Sequence, residues 1–442
     1  MSRFDVVVLG SGSAGAAVAR RCAGSGRSVA VIENRPPGGT CAQRGCIPKK
    51  VLTDAAATVQ AARRLRGRGV RGYVALDWPA LSAWRATFTD PVPESTRSGF
   101  DGAGITLIEE TAEFTGADTL RAGDRDVGFD GAVVATGAVP APLSMEGSEH
   151  LIASDEFFLL EKLPERIAFV GGGYISFEFA HVAASAGSHP VILHRNESPL
   201  RAFDPDLVHQ LCESSSERGI EVRLNHRVEA VHRLRNGSFR VDVAGKPPVE
   251  ADLVVHGAGR VPAVAGLGLE RAGVKMEKRR IVLNDHLQSP GNERIFAAGD
   301  ASGTGPALTP AASLQAEIVA ANLLRPASRR WIDRSIPSVV FTDPPLAAVG
   351  VSSRNLPEGI DVVKNDTGGW FTARHRGETH GAAKILIESS SRKIVGAHLL
   401  GPGSSEVINL FALAMEAKMT VESLRAVPFV FPTAGSDTPA ML

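Results

Sequence analysis

A chain of 442 residues is long enough for about three domains at roughly 150 residues each, which excludes a single small binding module. Its 48 Lys and Arg balance 48 Asp and Glu, so no overall field steers it onto nucleic acid or an anionic membrane, and a partner must be recognised locally. Glycine is abundant at 46 residues and tyrosine occurs only at Tyr73 and Tyr174; the four cysteines, Cys22, Cys41, Cys46 and Cys212, are too few for a secreted disulfide scaffold.

The first apolar run, residues 4–9, is too short for a secretory leader and runs straight into glycines, so a cytoplasmic location is expected. No apolar stretch approaches the ~18 to 20 residues of a membrane helix, and no membrane association is expected. Residues 4–9 read as a buried strand, GSGSAG (10–15) as a tight turn opening a helix, and 29–33 as the next strand. The same grammar recurs at 167–170, GGGYIS (171–176), a helix to about Ala186 and a strand at 191–193. Two dinucleotide-binding units are therefore expected in one α/β chain. Between and after them, VPAPL (139–143) and GAGRVPAV (257–264) look like crossings between domains. IFAAGDASG (295–303) reads as a strand ending in glycines, and LTPAASLQAEIVAANLL (308–324) as a helix with proline near its start. Beyond Pro326, KILIES and IVGAHLLG precede a helix near 405–418, which suggests a third, α+β domain.

Glycines let a backbone approach a pyrophosphate whose charge meets N–H groups at a helix start, which points to Gly10, Gly12 and Gly15 in the first unit and Gly171 and Gly173 in the second. Glu33 ends the strand after the first loop, where a carboxylate accepts ribose hydroxyls and repels a 2′-phosphate. A flavin or NAD adenosine fits there. In the second unit the same place holds His194, followed by Arg195 and Arg201, whose guanidinium forks suit a 2′-phosphate. NADPH is accordingly favoured over NADH; the alternative is that these arginines line a solvated strand end.

GGTCAQRGCIPKK (38–50) places Cys41 and Cys46 five residues apart. Five residues of helix rise ~7.5 Å, whereas a disulfide needs Cα atoms roughly 4.4 to 6.8 Å apart. A bond between them requires a distorted helix start, for which Gly45 and Pro48 supply breaks, and it would be reducible rather than structural. Lys49 and Lys50 one turn on favour a thiolate at Cys46. Two unpaired buried cysteines or half a zinc site are the alternatives, although no second close Cys or Cys/His pair completes four ligands and no metal site is expected.

These residues resemble the flavoprotein disulfide reductases, the family of glutathione reductase, dihydrolipoamide dehydrogenase and mercuric reductase. The likeness spans essentially the whole chain: GSGSAG, Glu33, the paired-cysteine segment, ATG at 135–137, GGGYISFEFA, GRVP at 259–262, AAGD at 297–300 and FTDPPLAAVG at 341–350. The resemblance implies two Rossmann-like dinucleotide-binding domains plus a C-terminal α+β dimerisation domain. FAD would occupy 1–145 with 258–325, the nicotinamide coenzyme 146–257, and the dimer interface 326–442. It adds Gly39, Thr40, Thr136, Gly137, Gly259, Arg260, Gly299 and Asp300 to the cofactor-binding set. It also places Lys49 near the reactive flavin nitrogen with Glu178 as its partner, and Tyr174 over the flavin until nicotinamide displaces it. Cys46 becomes the thiol beside the flavin and Cys41 the exchange thiol facing substrate, with electrons passing from NADPH to FAD to the disulfide to an acceptor. Family members are homodimers.

The chain departs from this pattern near its end. The family carries a His-Pro-Thr segment with a glutamate five residues after the histidine, which serves the exchanging thiol across the dimer as acid and base. PFVFPTAGSD puts Phe431 and Ser436 there, and Asp437 is one position out of register. Phenylalanine moves no proton, and such help is typically worth ~10² to 10⁴ in rate. His375 and His380 read as solvated loop histidines. Arg20 matches a substrate-carboxylate position of glutathione reductase, but Glu317 stands where that enzyme has an arginine, and no C-terminal cysteine pair is present. Arg63, Arg64, Arg66, Arg68 and Arg71 read as a solvated helix end rather than a nucleic-acid surface. The leading expectation is reduction of a small disulfide or related sulfur compound. The alternatives are reduction of quinones, metal ions or other acceptors from the flavin, and a flavin-bound redox sensor with a protein partner.

Overall fold

Apolar runs rich in valine, leucine and isoleucine build a parallel sheet in each of two units, and the first strand of each ends at a glycine, Gly10 and Gly171. The computed structural model describes residues 2–442. They divide into two units. One comprises the chain up to Lys49 with Trp84–Ala141 and Arg260–Asp333; the other comprises Lys50–Ala83, Pro142–Gly259 and Arg334–Leu442.

In the first unit the strands Asn292–Ala297, Arg125–Val134, Ser2–Leu9, Val29–Ile32 and Thr106–Ile108 lie side by side in that order, each pair parallel. Side chains alternate across a strand, so Val7, Leu9, Ala30 and Ile32 join one buried layer and Val6, Val8, Val29 and Val31 the opposite one. The helices Ser13–Ala23 and Thr309–Leu324 cover the second layer through Val18, Ala19, Cys22, Ala316 and Val319. Pro310 sits in the first turn of the latter, where its missing N–H costs nothing.

In the second unit a four-stranded parallel sheet runs Glu221–Arg223, His189–Leu193, Arg166–Val170, Leu253–His256. The C-terminal part forms a five-stranded antiparallel sheet in the order Ser338–Val340, Leu346–Gly350, Ile394–Leu400, Ala382–Glu388, Ile360–Asp366, with helix Ser404–Glu416 against one face. One core runs through all three stretches of this unit: Leu52 and Ala56, then Phe177 and Phe179, then Val340, Leu346 and Leu400. This shared core is why residues 50–83 and 334–442 cluster with the second nucleotide unit. The crossings expected at 139–143 and 257–264 fall at two of the five places where the chain changes unit, after Ala141 and after Gly259; the others follow Lys49, Ala83 and Asp333. Among the described residues no helix is long and apolar enough to cross a membrane.

Candidate active site

The first glycine loop is shaped by contacts that tolerate no side chain. Gly10 has φ +104°, and a Cβ there would meet the Ala135 carbonyl oxygen at 2.4 Å. Its N–H donates to Ile32 O at 2.8 Å, tying the loop to the next strand. Helix Ser13–Ala23 then begins at Gly12 with no side chain capping its first turn, which leaves N–H donors for an anion. Glu33 Oε2 accepts from the Ser11 N–H at 2.9 Å and the Ser11 hydroxyl at 2.8 Å, and Oε1 from the Arg35 N–H at 3.1 Å. A carboxylate has about four acceptor sites, so capacity remains for a ribose hydroxyl. Ser11 Oγ in turn accepts from the Gly38 N–H at 2.8 Å, which links this loop to the turn that starts the cysteine segment. Gly39 packs so closely on Gly12 that a Cβ would lie 2.3 Å from its Cα.

The cysteine segment is two helices, Gly39–Arg44 and Cys46–Arg64, broken at Gly45 with φ −144° and ψ −112°. The break falls at the first of the two expected positions; Pro48 lies inside the first turn of the second helix and breaks nothing. All four cysteines are unbonded thiols, so the pair is described in its reduced form. Cys46 is exposed at the start of its helix and Cys41 is half-buried. Thr309, opening the helix that follows the AAGD turn, brings its hydroxyl to 3.2 Å from Cys41 Sγ and 3.5 Å from Cys46 Sγ.

The two sulfurs differ sharply in charge preference. A hydrogen bond from the Cys41 thiol, aided by the Thr309 hydroxyl and the Lys49 ammonium, outweighs burial and holds Cys46 down to about 6. The same bond, with burial, pushes Cys41 up. Lys50, expected to share in this, instead pairs with Asp54 and lies 5.3 Å over the Phe341 ring. Burial pushes the Cys22 thiol up to about 11 and Cys212 to about 12, which marks both as inert.

Further along the first unit, Thr136 donates its hydroxyl to Ala263 O at 2.7 Å and Arg260 Nη2 donates to Ala138 O at 2.6 Å, pinning together the short strands Ala138–Pro140 and Arg260–Pro262. Gly137 and Gly299 have φ of +74° and +70°, and nothing stands within 4 Å of a Cβ at Gly137. Burial raises the Asp300 carboxyl, opposed by the Arg260 charge. An uncapped helix start, a side-chain-free turn and a half-buried acid at one sheet end fit a dinucleotide such as FAD.

The second unit repeats the loop. Gly171 has φ +106°, its N–H donates to Leu193 O at 2.9 Å, and helix Tyr174–Ser185 starts at Gly173 without a side-chain cap. Tyr174 is half exposed at the first helical position. Arg195 and Arg201 are exposed and make no ion pair among the described residues. His194 corrects the sequence expectation. Its Nδ1 accepts from the Gly172 N–H at 3.1 Å and its Nε2 donates to Ser198 O at 3.1 Å, so a neutral imidazole has nothing left for a nucleotide. Burial, with the Arg195 and Arg201 charges, keeps its pKa below the usual histidine value. Glu178, 2% exposed, accepts from the Phe341 N–H at 2.9 Å. It lies in the second unit, whereas Lys49 lies in the first. Gly259, with φ +112°, ends the Pro142–Gly259 stretch of the second unit.

At the C-terminal end Phe431 is 80% exposed. Ser436 is committed to a local turn with Thr433, and Asp437 accepts from the Thr372 hydroxyl. His375 stacks on Phe371 and His380 pairs with Glu217 at 3.0 Å. Arg20 lies over the Phe100 ring, and Glu317 pairs with Arg329 at 3.6 Å. The arginine run is not uniformly solvated. Arg64 pairs with Asp343, Arg63 donates to Ser185 O at 3.0 Å, and Arg218 joins Asp343 and Glu378 in the same buried network, so only Arg66, Arg68 and Arg71 face solvent. Thr309 is the site residue that sequence reasoning missed; its signal was a hydroxyl beside proline at a helix start directly after the AAGD turn.

Two nucleotide loops and a charged thiol pair in one chain define a flavin-dependent disulfide oxidoreductase, and comparison with known proteins agrees. Residues 4–316 match the family described as pyridine nucleotide-disulphide oxidoreductase, and residues 336–441 match the dimerisation domain of that family. The chain belongs to this family, whose members bind FAD and a pyridine nucleotide and act on sulfur groups. It is 30% identical over 438 residues to glutathione reductase of Burkholderia cepacia, covering 98% of this chain and 97% of that protein. Mercuric reductase of Staphylococcus aureus is 29% identical over 432 residues, 95% of this chain and 78% of that protein. Among solved structures, the Cu(II) complex of the HOCl-induced flavoprotein disulfide reductase RclA from Escherichia coli has TM-score 0.90 at 26% identity, covering 100% of this chain and 99% of that one.

Proposed function

We propose that the protein is an NADPH-dependent, FAD-containing reductase that delivers electrons through Cys41 and Cys46 to a small disulfide or related sulfur acceptor, as a homodimer. The hydrogen-bonded thiol pair with its charge on Cys46 carries this reading. Bound FAD would supply two-electron transfer between reduced nicotinamide and the cysteine pair. Gly10, Gly12 and Gly15 hold its pyrophosphate, Glu33 its ribose, and Gly39, Thr40, Thr136, Gly137, Arg260, Gly299 and Asp300 line the rest. Gly171, Gly173 and Gly259 frame the coenzyme, Arg195 and Arg201 take its 2′-phosphate, Tyr174 covers the entrance, and Lys49 with Glu178 acts at the flavin.

Without a histidine at position 431, the pair supplies its own base. The Cys41 proton passes along the hydrogen bond to Cys46, and the Cys41 thiolate attacks the acceptor disulfide, releasing one thiolate that takes the proton back. The Cys46 thiolate then attacks Cys41, releases the second thiolate and restores the Cys41–Cys46 bond, so two electrons leave as one disulfide forms and one breaks.

A second reading is favoured by the same absence of an acid at Phe431: the acceptor is a soft metal ion held by both sulfurs, which displaces the Cys41 proton and needs none returned. Relatives named for mercury reduction and for a Cu(II) complex support it. Coenzyme oxidation measured against disulfides, quinones and metal ions separates the readings. Cys46→Ser is expected to lose disulfide turnover by at least ~10³-fold, and turnover that survives it sinks the leading reading. Alkylation of reduced enzyme should rise through pH about 6 at Cys46, because the reactive thiolate forms above that value.

A further inference from the structure

The segment between strand His189–Leu193 and helix Pro205–Glu217 carries Arg195 and Arg201, and it is held from outside the nucleotide-binding stretch. Arg354 donates from Nη2 to Ser198 Oγ at 2.9 Å and from Nε to Phe203 O at 3.2 Å, so one guanidinium clasps the segment on both sides of Arg201. At its far end Asp204, fully buried, accepts from the Asp206 and Leu207 N–H groups as the cap of the following helix and from Lys384 Nζ at 2.7 Å; Ser353 donates to it as well. At its near end His194 spans Ser198 O and the Gly172 N–H, and Leu200, at φ +46°, donates its N–H to Gly172 O at 2.9 Å. Ser353, Arg354 and Lys384 all belong to the stretch that matches the dimerisation domain.

A continuous set of hydrogen bonds thus runs from that domain through Ser198 and His194 to the glycine loop. Among the described residues no carboxylate pairs with Arg195 or Arg201, so their placement depends on the backbone that bears them. We propose that Arg354 is a positioning residue for coenzyme selection: by clasping residues 198 and 203 it presents Arg201 to a 2′-phosphate, and the dimerisation domain thereby sets the discrimination between phosphorylated and unphosphorylated adenine nucleotides. This rests on the NADPH reading above.

The test uses the full-length, FAD-loaded protein with 2′,5′-ADP and ADP as probes in titration calorimetry, alongside steady-state kinetics with NADPH and NADH. Arg354→Ala is expected to weaken 2′,5′-ADP by about tenfold and ADP by less than twofold, with KM for NADPH rising and kcat unchanged. Arg354→Lys, which keeps the charge but makes only one of the two contacts, should recover part of the loss. A melting temperature within a few degrees of wild type confirms that the variant folds. If Arg354→Ala weakens both probes equally, or leaves the ratio intact, the positioning role is overturned while the NADPH reading stands. Equal binding of both probes by the wild type would instead overturn that reading and this inference with it.

Discussion

The two nucleotide loops share a pair of backbone hydrogen bonds and differ in the side chain that accepts the second of them. In each, a glycine near φ +105° donates its N–H to the second strand, and the next residue donates its N–H to the side chain one position beyond that strand. In the first loop that acceptor is the Glu33 carboxylate, and in the second it is the Nδ1 lone pair of neutral His194. The fold needs only an acceptor there. On the proposed NADPH reading its charge is what differs for ligand choice: a carboxylate at Glu33 would repel a 2′-phosphate, and a neutral ring followed by Arg195 and Arg201 would not. On that reading one position would serve both the turn and the specificity.

The most damaging way to probe this comparison is to fill the glycines. Gly10→Ala puts a Cβ 2.4 Å from the Ala135 oxygen, and Gly171→Ala puts one 2.5 Å from the Ala258 Cα. Each is expected to cost several kcal/mol locally. Gly10→Ala should yield protein without FAD by absorbance, whereas Gly171→Ala should retain FAD and lose kcat/KM for coenzyme; FAD loss in both would show the loops are not separable. Next in size, His194→Glu converts the second loop to the chemistry of the first. It should lower kcat/KM for NADPH by about 100-fold and leave NADH within a few-fold, and an unchanged preference would break the comparison. The smallest effect is titration. His194 accepts the Gly172 N–H only when Nδ1 is unprotonated, and its pKa lies below the usual value, so the bond is present at neutral pH and lost as pH falls through that depressed pKa. KM for coenzyme should rise about threefold in acid for wild type and stay flat for His194→Gln, which cannot titrate.

Both loops, the helix break at Gly45 and the redox pair were legible because each is written in consecutive residues: strand, glycines, helix, and cysteines at fixed spacing. The inward turn of His194, the burial of Arg63 and Arg64, and the reach of Arg354 and Thr309 to their targets were not. Four of these side chains depend on partners over 100 positions away: Arg63 with Ser185, Arg64 with Asp343, Arg354 with Ser198, and Thr309 with Cys41. Local periodicity carries no record of such contacts. The grouping of residues 50–83 with the second unit has the same origin, since the core that holds Leu52 against Phe177 and Val340 exists only after folding.

The break at Gly45 also acts on voltage. The Cys41 hydrogen bond, with the Thr309 hydroxyl, the Lys49 charge and the backbone N–H where a 19-residue helix begins at Cys46, stabilises a sulfur anion that exists only while the pair is reduced. Oxidation to the disulfide forfeits that stabilisation, which raises the reduction potential of the couple and makes it a more reluctant donor than an ordinary dithiol. Acceptors of high potential are therefore the ones to which its electrons run downhill.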